Sequence, residues 1–300
     1  MKRFICAMIV LILSSPLGIY NGKAMSPYRY KIMFSKDDRA AQNIYIMGDD
    51  GTNKVRVSGE GGYSPIISYD GKLMVYRIGS YRQHENIFVD FKKKEITRIL
   101  DSNAYIHSIS PNNDSVLYTR YADADKYDKR QLYISDIDGS NETKLISGAD
   151  IWEASFSPAG DKVAYIKEGY LFVLDLSTQE HIQMTNKAPC DSISWSSDGN
   201  KIFCCGPNYE IMSITEDDKN TEVIFHDDEI LSTKPQISPD SKYIVFLNEK
   251  DRQIYRVKSD GTSLTKLTES MAADHPVWIK AVDNRNYQVQ DDMIIPSLLD

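Results

Sequence analysis

Hydrophobic and polar positions alternate in short runs along this chain, and the runs recur in phase. Five ten-residue segments repeat one pattern: ISYDGKLMVY from Ile67, ISPNNDSVLY from Ile109, FSPAGDKVAY from Phe156, WSSDGNKIFC from Trp195 and ISPDSKYIVF from Ile237. Their first residues lie 42, 47, 39 and 42 positions apart, and 41 more lead to Trp278 in HPVWIK. A period of this size marks a repeat architecture. Each unit continues into a second run, such as NIYIMGDDGTNKVRVS from Asn43, QLYISDIDGSNETKLIS from Gln131 or QIYRVKSDGTSLTKLT from Gln253. Runs rich in Ile, Val, Tyr and Thr, split by Asp-Gly or Ser-Pro turns, predict strands and hairpins, four strands to a unit.

Four-stranded units at this spacing suit the blades of an all-β, six-bladed β-propeller, whose radial closure leaves only short sheet edges. The end units predict how it closes. Tyr30 to Phe34 reads as a second strand lacking its first, and His275 to Ile279 as a first strand lacking its second. Joined, they complete one antiparallel blade, with the C-terminal strand pairing into the N-terminal blade. An open solenoid would instead call for atypical capping repeats at both ends.

Composition changes this picture little. The 300 residues are 41% hydrophobic, with 19 Tyr and 16 Gly, which is enough for a sizeable core in one domain. The N-terminus differs in kind: Lys2 and Arg3 precede an apolar run from Phe4 to Leu13, a break follows at Ser14 to Pro16, and Gly22 and Ala24 place small residues before a cleavage point. The expected organisation is a signal peptide over 1–24, a propeller over 25–282 and a tail over 283–300. The apolar run is too short for a permanent anchor across about 30 Å of bilayer. The expected product is an exported, periplasmic or secreted, monomeric protein with no integral membrane segment. Loss of Lys2, Arg3 and Lys23 leaves 32 basic against 43 acidic side chains, a charge of −11 that disfavours nucleic-acid binding.

Candidate chemistry is sparse. The sequence carries no GxSxG elbow, no HExxH and no phosphate-binding glycine loop, and it calls for no cofactor. If the ring exists, the residues that begin each blade's first strand converge on one channel mouth: Tyr63, Tyr105, His107, Trp152, Glu153, Asp191, Lys234, Asp274 and His275. His107, His275 and nearby acids could ligate a metal or do acid–base work; the alternative is satisfied structural polarity around a wet channel. The long loop RYADADKYDKR offers Tyr121, Tyr127 and Arg130 as contact residues at a rim. Its alternating Asp123, Asp125 and Asp128 lack the glycine of a calcium loop, and DIDGSNE from Asp136 reads as a tight turn. In a hairpin turning at Ser197 to Asn200, Cys190 comes close to Cys205, a disulfide suited to an oxidising destination. The alternative is that Cys190, Cys204 and Cys205 are small buried hydrophobes.

The SPDGK-type segment followed by Ile-Tyr and DGT-x-x-x-x-Leu-Thr, clearest in ISPDSKYIVF with QIYRVKSDGTSLTKLT, resembles the propeller repeat of the TolB family over residues 28–282. The pattern departs at Tyr69, at Asn112 and Asn113, and at Ser197, and the chain has no room for the α/β domain that precedes the propeller in TolB. The resemblance implies a periplasmic propeller that binds an envelope or extracellular protein. The alternatives are a carbohydrate ligand, a lyase or hydrolase acting at the channel mouth, or an accessory subunit of a separate enzyme.

Overall fold

A computed structural model describes residues 30–38, 41–58, 61–80, 84–93, 95–98, 103–122, 129–186, 192–269 and 272–279. The expected leader and tail lie outside the described residues, as do Cys190, Asp191 and Tyr127. Among the described residues, 24 strands form six four-stranded antiparallel sheets. Blade I joins β24 (Ala273–Ile279) to β1 (Lys31–Asp38), β2 (Ala41–Gly48) and β3 (Val55–Arg56). Blade II holds β4 (Tyr63–Ile67), β5 (Leu73–Gly79), β6 (His84–Asp90) and β7 (Glu95–Arg98). Blade III holds β8 (Tyr105–Ile109), β9 (Ser115–Tyr121), β10 (Arg130–Asp136) and β11 (Thr143–Ile146). Blade IV holds β12 (Ile151–Phe156), β13 (Lys162–Lys167), β14 (Tyr170–Asp175) and β15 (His181–Gln183). Blade V holds β16 (Ile193–Trp195), β17 (Lys201–Cys205), β18 (Ile211–Thr215) and β19 (Thr221–Phe225). Blade VI holds β20 (Ser232–Ile237), β21 (Tyr243–Asn248), β22 (Gln253–Lys258) and β23 (Thr265–Lys266).

The repeated segments form hairpins because a serine organises each turn. Ser68, Ser110, Ser157, Ser196 and Ser238 are all buried, and each Oγ accepts the backbone N–H five residues on, at 2.9–3.1 Å. Each hydroxyl donates to an aspartate of the same turn: Asp70, Asp114, Asp161, Asp198 and Asp240. Both strand ends are thereby fixed at the start of the next strand, with no buried donor left over. Between the two middle strands of four blades, aromatic residues lie directly opposite one another: Phe34 and Tyr45, Tyr118 and Tyr133, Tyr165 and Phe172, Phe246 and Tyr255. Such pairs fix register.

The core is divided among the blade interfaces. Six hydrophobic clusters occur among the described residues, each joining two successive blades, including one between blades VI and I built on Phe34, Val245, Ile254 and Trp278. Tryptophans at the same repeat position bond backward across an interface: Trp195 Nε1–H donates to Ser155 O (3.3 Å) and Trp278 Nε1–H to Gln236 O (2.9 Å). The ring closes as the sequence implies. Ile32 pairs with Trp278 and Met33 with Val277, antiparallel, and the Tyr30 ring meets Trp278 edge-on at 6.4 Å.

Trp278 is 7% exposed. Its replacement by alanine should therefore lower stability by about 3–5 kcal/mol, the usual cost of emptying a buried tryptophan site. Trp152→Ala, at an exposed position, should cost less than about 0.5 kcal/mol. Urea unfolding of both variants checks this, and equal losses would mean that closure through β24 is not limiting.

Candidate functional site

The six innermost strands, β4, β8, β12, β16, β20 and β24, line a central cavity of about 360 Å³. The serine turns, with Pro111, Pro158 and Pro239, bound one end; Tyr105, Arg130, Trp152, Lys234 and His275 gather toward the other, where the inner strands begin. That second end is the mouth.

Three adjacent blades shape the mouth by one local device. In β4, β20 and β24 the residue before a proline is bulged and has positive φ: Ser64 at 50°, Lys234 at 52° and His275 at 48°. Two residues there oppose one on the next strand, facing Tyr76, Phe246 and Phe34 respectively. A bulge re-aims a side chain, and proline suits it because the extra residue has no ladder donor to lose.

These re-aimed side chains meet across blades VI, I and II. Lys234 Nζ lies 2.6 Å from Asp274 Oδ1, and Arg252 Nη2 is 3.0 Å from Asp274 Oδ2. Arg252 also bonds Glu249, at 2.6 Å. The backbone N–H of His275 donates to Asp274 Oδ1 (2.8 Å), its Nδ1 lies 3.1 Å from the same oxygen, and its Nε2 is within hydrogen-bonding distance of Ser64 Oγ (3.1 Å). The Asp274 side chain is 14% exposed. Burial pushes its carboxyl up, but the contacts with His275 and the positive charge of Lys234 outweigh burial and hold it far below the usual carboxylate range.

Across the mouth, blades II to IV form a second cluster. Arg77 and Arg130 both lie over the Tyr105 ring, at 5.2 and 5.7 Å, and Arg130 stacks on Trp152 at 3.9 Å. Arg77 Nη2 donates to Ile106 O (2.8 Å), and Arg130 Nε lies 3.8 Å from Asp150 Oδ1. His107 is buried, within hydrogen-bonding distance of Thr119 Oγ1 (2.8 Å) and 3.6 Å from Glu153 Oε2. Burial lowers its pKa; Glu153 opposes this and the charges of Arg77 and Arg130 reinforce it, so the ring is neutral at pH 7.

Several expected residues thus meet, with differences. His107 and His275 belong to separate clusters, and among the described residues no group of three or more His, Cys, Asp or Glu is placed to hold a metal. Tyr105 is buried against His84 (4.7 Å) and Tyr121 (6.1 Å), whereas Tyr63 stands at the mouth with its hydroxyl donating to Ser80 O (3.2 Å). Arg130, expected on an exposed rim, is 5% exposed and faces the channel, because β10 begins at its position and carries it inward. Arg77 and Ser64 also belong to the site, and the repeat pattern does not single them out. Their visible signals were a lone cation in the apolar run LMVYRIG and a Ser-Pro pair matching Lys234-Pro235 and His275-Pro276. DIDGSNE is a self-satisfied turn in which Asp138 accepts from the Ser140 backbone and hydroxyl. Cys204 and Cys205 are buried in β17, where Cys205 Sγ donates to Ser232 O.

Comparison with known proteins bears on the fold. No family model matches the chain. The structure superposes on TolB from Acinetobacter baumannii with a TM-score of 0.70 and 18% identity, covering 83% of this chain and 66% of that one. The fold is TolB-like. A putative TolB from Agrobacterium tumefaciens gives a TM-score of 0.63 at 15% identity, over 83% of this chain and 91% of that one. An oligogalacturonate lyase in complex with manganese gives 0.54 at 12% identity, over 79% and 73%. In sequence, the chain is 29% identical over 123 residues to an uncharacterized protein of Agrobacterium fabrum, 39% of this chain and 42% of that one. It is 25% identical over 203 residues to the oligogalacturonate lyase of Dickeya dadantii, 55% and 52% of the two chains. The chain thus spans about half the length of the curated relatives it matches.

Asp274→Asn leaves Lys234 and Arg252 without their shared carboxylate. Losing a buried partner costs about 3–5 kcal/mol, and the partial exposure of both cations reduces the expected loss to about 2 kcal/mol at pH 7. Because the folded-state pKa is depressed, this stabilisation is complete above the unfolded-state value of about 4 and is lost as pH falls toward the folded-state value. The stability gap between wild type and variant should therefore be smaller at pH 3 than at pH 7 in urea unfolding. A gap independent of pH would show that the charge of Asp274 is not what stabilises the mouth.

Proposed function

We propose that this chain is an exported propeller that binds a protein partner over the mouth of its channel. The observation that carries this reading is Trp152: an aromatic side chain 52% exposed on a rigid inner strand, backed by a buried arginine, at the rim of a preformed cavity. Tryptophan and arginine are the common anchors of protein interfaces, and an anchor already held in place loses little freedom on binding. Likeness to TolB structures supports a binding module, and the Lys2-Arg3, apolar-run, Gly22-x-Ala24 pattern supports export to the periplasm or beyond. The partner meets Trp152 and Tyr63 on the mouth face.

A second reading, a lyase or hydrolase acting on a polysaccharide at the same mouth, draws support from the oligogalacturonate lyase among the relatives. Metal content separates the two. Stoichiometric metal lost in a His107→Ala, His275→Ala double variant, together with polysaccharide cleavage, would favour the enzyme.

A photo-crosslinking amino acid placed at position 152, with one at Tyr69 on the opposite end of the channel as control, tests the binding reading in cells that export the chain. The expected result is a discrete envelope-protein adduct from position 152 and none from position 69. Identical adduct patterns from both positions would sink the proposal.

A further inference from the structure

The two sides of the mouth differ in how their charges are answered. Around Asp274, each cation faces a carboxylate within 3.0 Å. Around Tyr105, two guanidinium groups share one ring, and Arg130 Nη2 has no hydrogen-bond partner among the described residues, although Arg130 is more than nine-tenths buried. A buried cation with part of its fork unanswered is costly unless a ligand completes it. Arg130 lines the cavity, and the half-exposed Trp152 covers one face of its guanidinium, so the unpartnered nitrogen lies beneath that ring. Two parallel N–H groups on a planar fork match a carboxylate, which they bind bidentately.

We propose that Arg130, flanked by Arg77, Tyr105 and Trp152, is a recognition pocket for a single carboxylate: an Asp or Glu side chain on the partner segment that enters the mouth. The proposal rests on the protein-binding reading and names what that partner must present. A uronate chain carries one carboxylate per ring and stacks its sugars on successive aromatic platforms. Here Arg130 Nη2 is an unpartnered buried donor, and Trp152 is the half-exposed tryptophan beside it. One acidic side chain next to an apolar one answers both features.

The test uses the exported chain and a phage-displayed random heptapeptide library. Selected peptides should share Asp or Glu at one position. Replacing that residue by alanine should weaken binding at least tenfold on wild type and less than twofold on Arg130→Gln. Arg130→Lys keeps the charge but loses the fork, and should fall between the two; thermal unfolding confirms that each variant is folded, and Trp152→Phe should weaken the same peptides without changing their acid requirement.

Selection without acidic enrichment, or an acid requirement that persists undiminished in Arg130→Gln, would overturn the proposal. So would tenfold tighter, Arg130-dependent binding of trigalacturonate, which would assign the pocket to carbohydrate. Peptide binding that emerges only after Asp123, Asp125 and Asp128 are changed to Asn would mean that this chain already fills the fork, and would overturn it as well. Failure here leaves the adduct at position 152 intact, whereas loss of that adduct with an Arg130-dependent peptide still bound would remove the envelope partner and keep the pocket.

Discussion

The pairing of β24 with β1 is the constraint on which the rest of the molecule depends. No blade has a core of its own: each buries its faces against two neighbours, so a gap anywhere would expose two apolar faces at once. The closing contacts join residues as far apart as Ser35 and Asp274, 239 positions along the chain. Loop-closure entropy grows only logarithmically with such a separation, so a distant terminus can supply the last strand at a cost that the VI–I cluster outweighs. The same strand carries Asp274 and His275. Closure and assembly of the mouth are therefore one event, since the carboxylate that collects Lys234 and Arg252 arrives only with β24.

Local backbone chemistry explains why polar residues line the mouth on that side. Proline bars its predecessor from the right-handed helical region. At Ser64, Lys234 and His275 the chain takes positive φ, which turns the side chain out of the blade and toward the channel. Residues held this way are strained and persist only where their surroundings fix them. Here Tyr76, Phe246 and Phe34 sit opposite the three bulges as buried aromatic residues, and the polar ends find one another across the blade boundaries.

What was legible in the sequence follows from this physics. Repeat phase showed blade number and closure, because strand alternation and turn residues are local and recur; the pairing of Ile32 with Trp278 follows from that phase. The gathering of Trp152, Lys234 and His275 around one cavity, with Asp274 paired to Lys234, followed from the ring itself. The position of Arg130 did not, because a one-residue difference in where β10 begins decides between a rim loop and the channel wall. The turn serines were present in all five segments, yet a serine in a turn reads as solvent-facing until its burial and its bond to the N–H five residues on are seen.

The charge pattern of the mouth acquires meaning against that of the whole protein. The chain carries a net charge of −8, and its turns are rich in exposed aspartate, so polyanions are repelled at long range. Salt screens that repulsion within about 8 Å, and inside the mouth short-range terms govern. There the side built on β24 is internally neutralised, its carboxylate already committed to Lys234 and Arg252. The side built on blades II to IV holds Arg77 and Arg130 beside a neutral His107, with Glu153 against that ring and Asp150 3.8 Å from the Arg130 Nε, a looser pairing than the 2.6–3.0 Å contacts of Asp274. The closing strand thus supplies rigidity on one side of the channel, and the carboxylate pocket proposed at Arg130 lies on the opposite wall, where the ion pairs are looser.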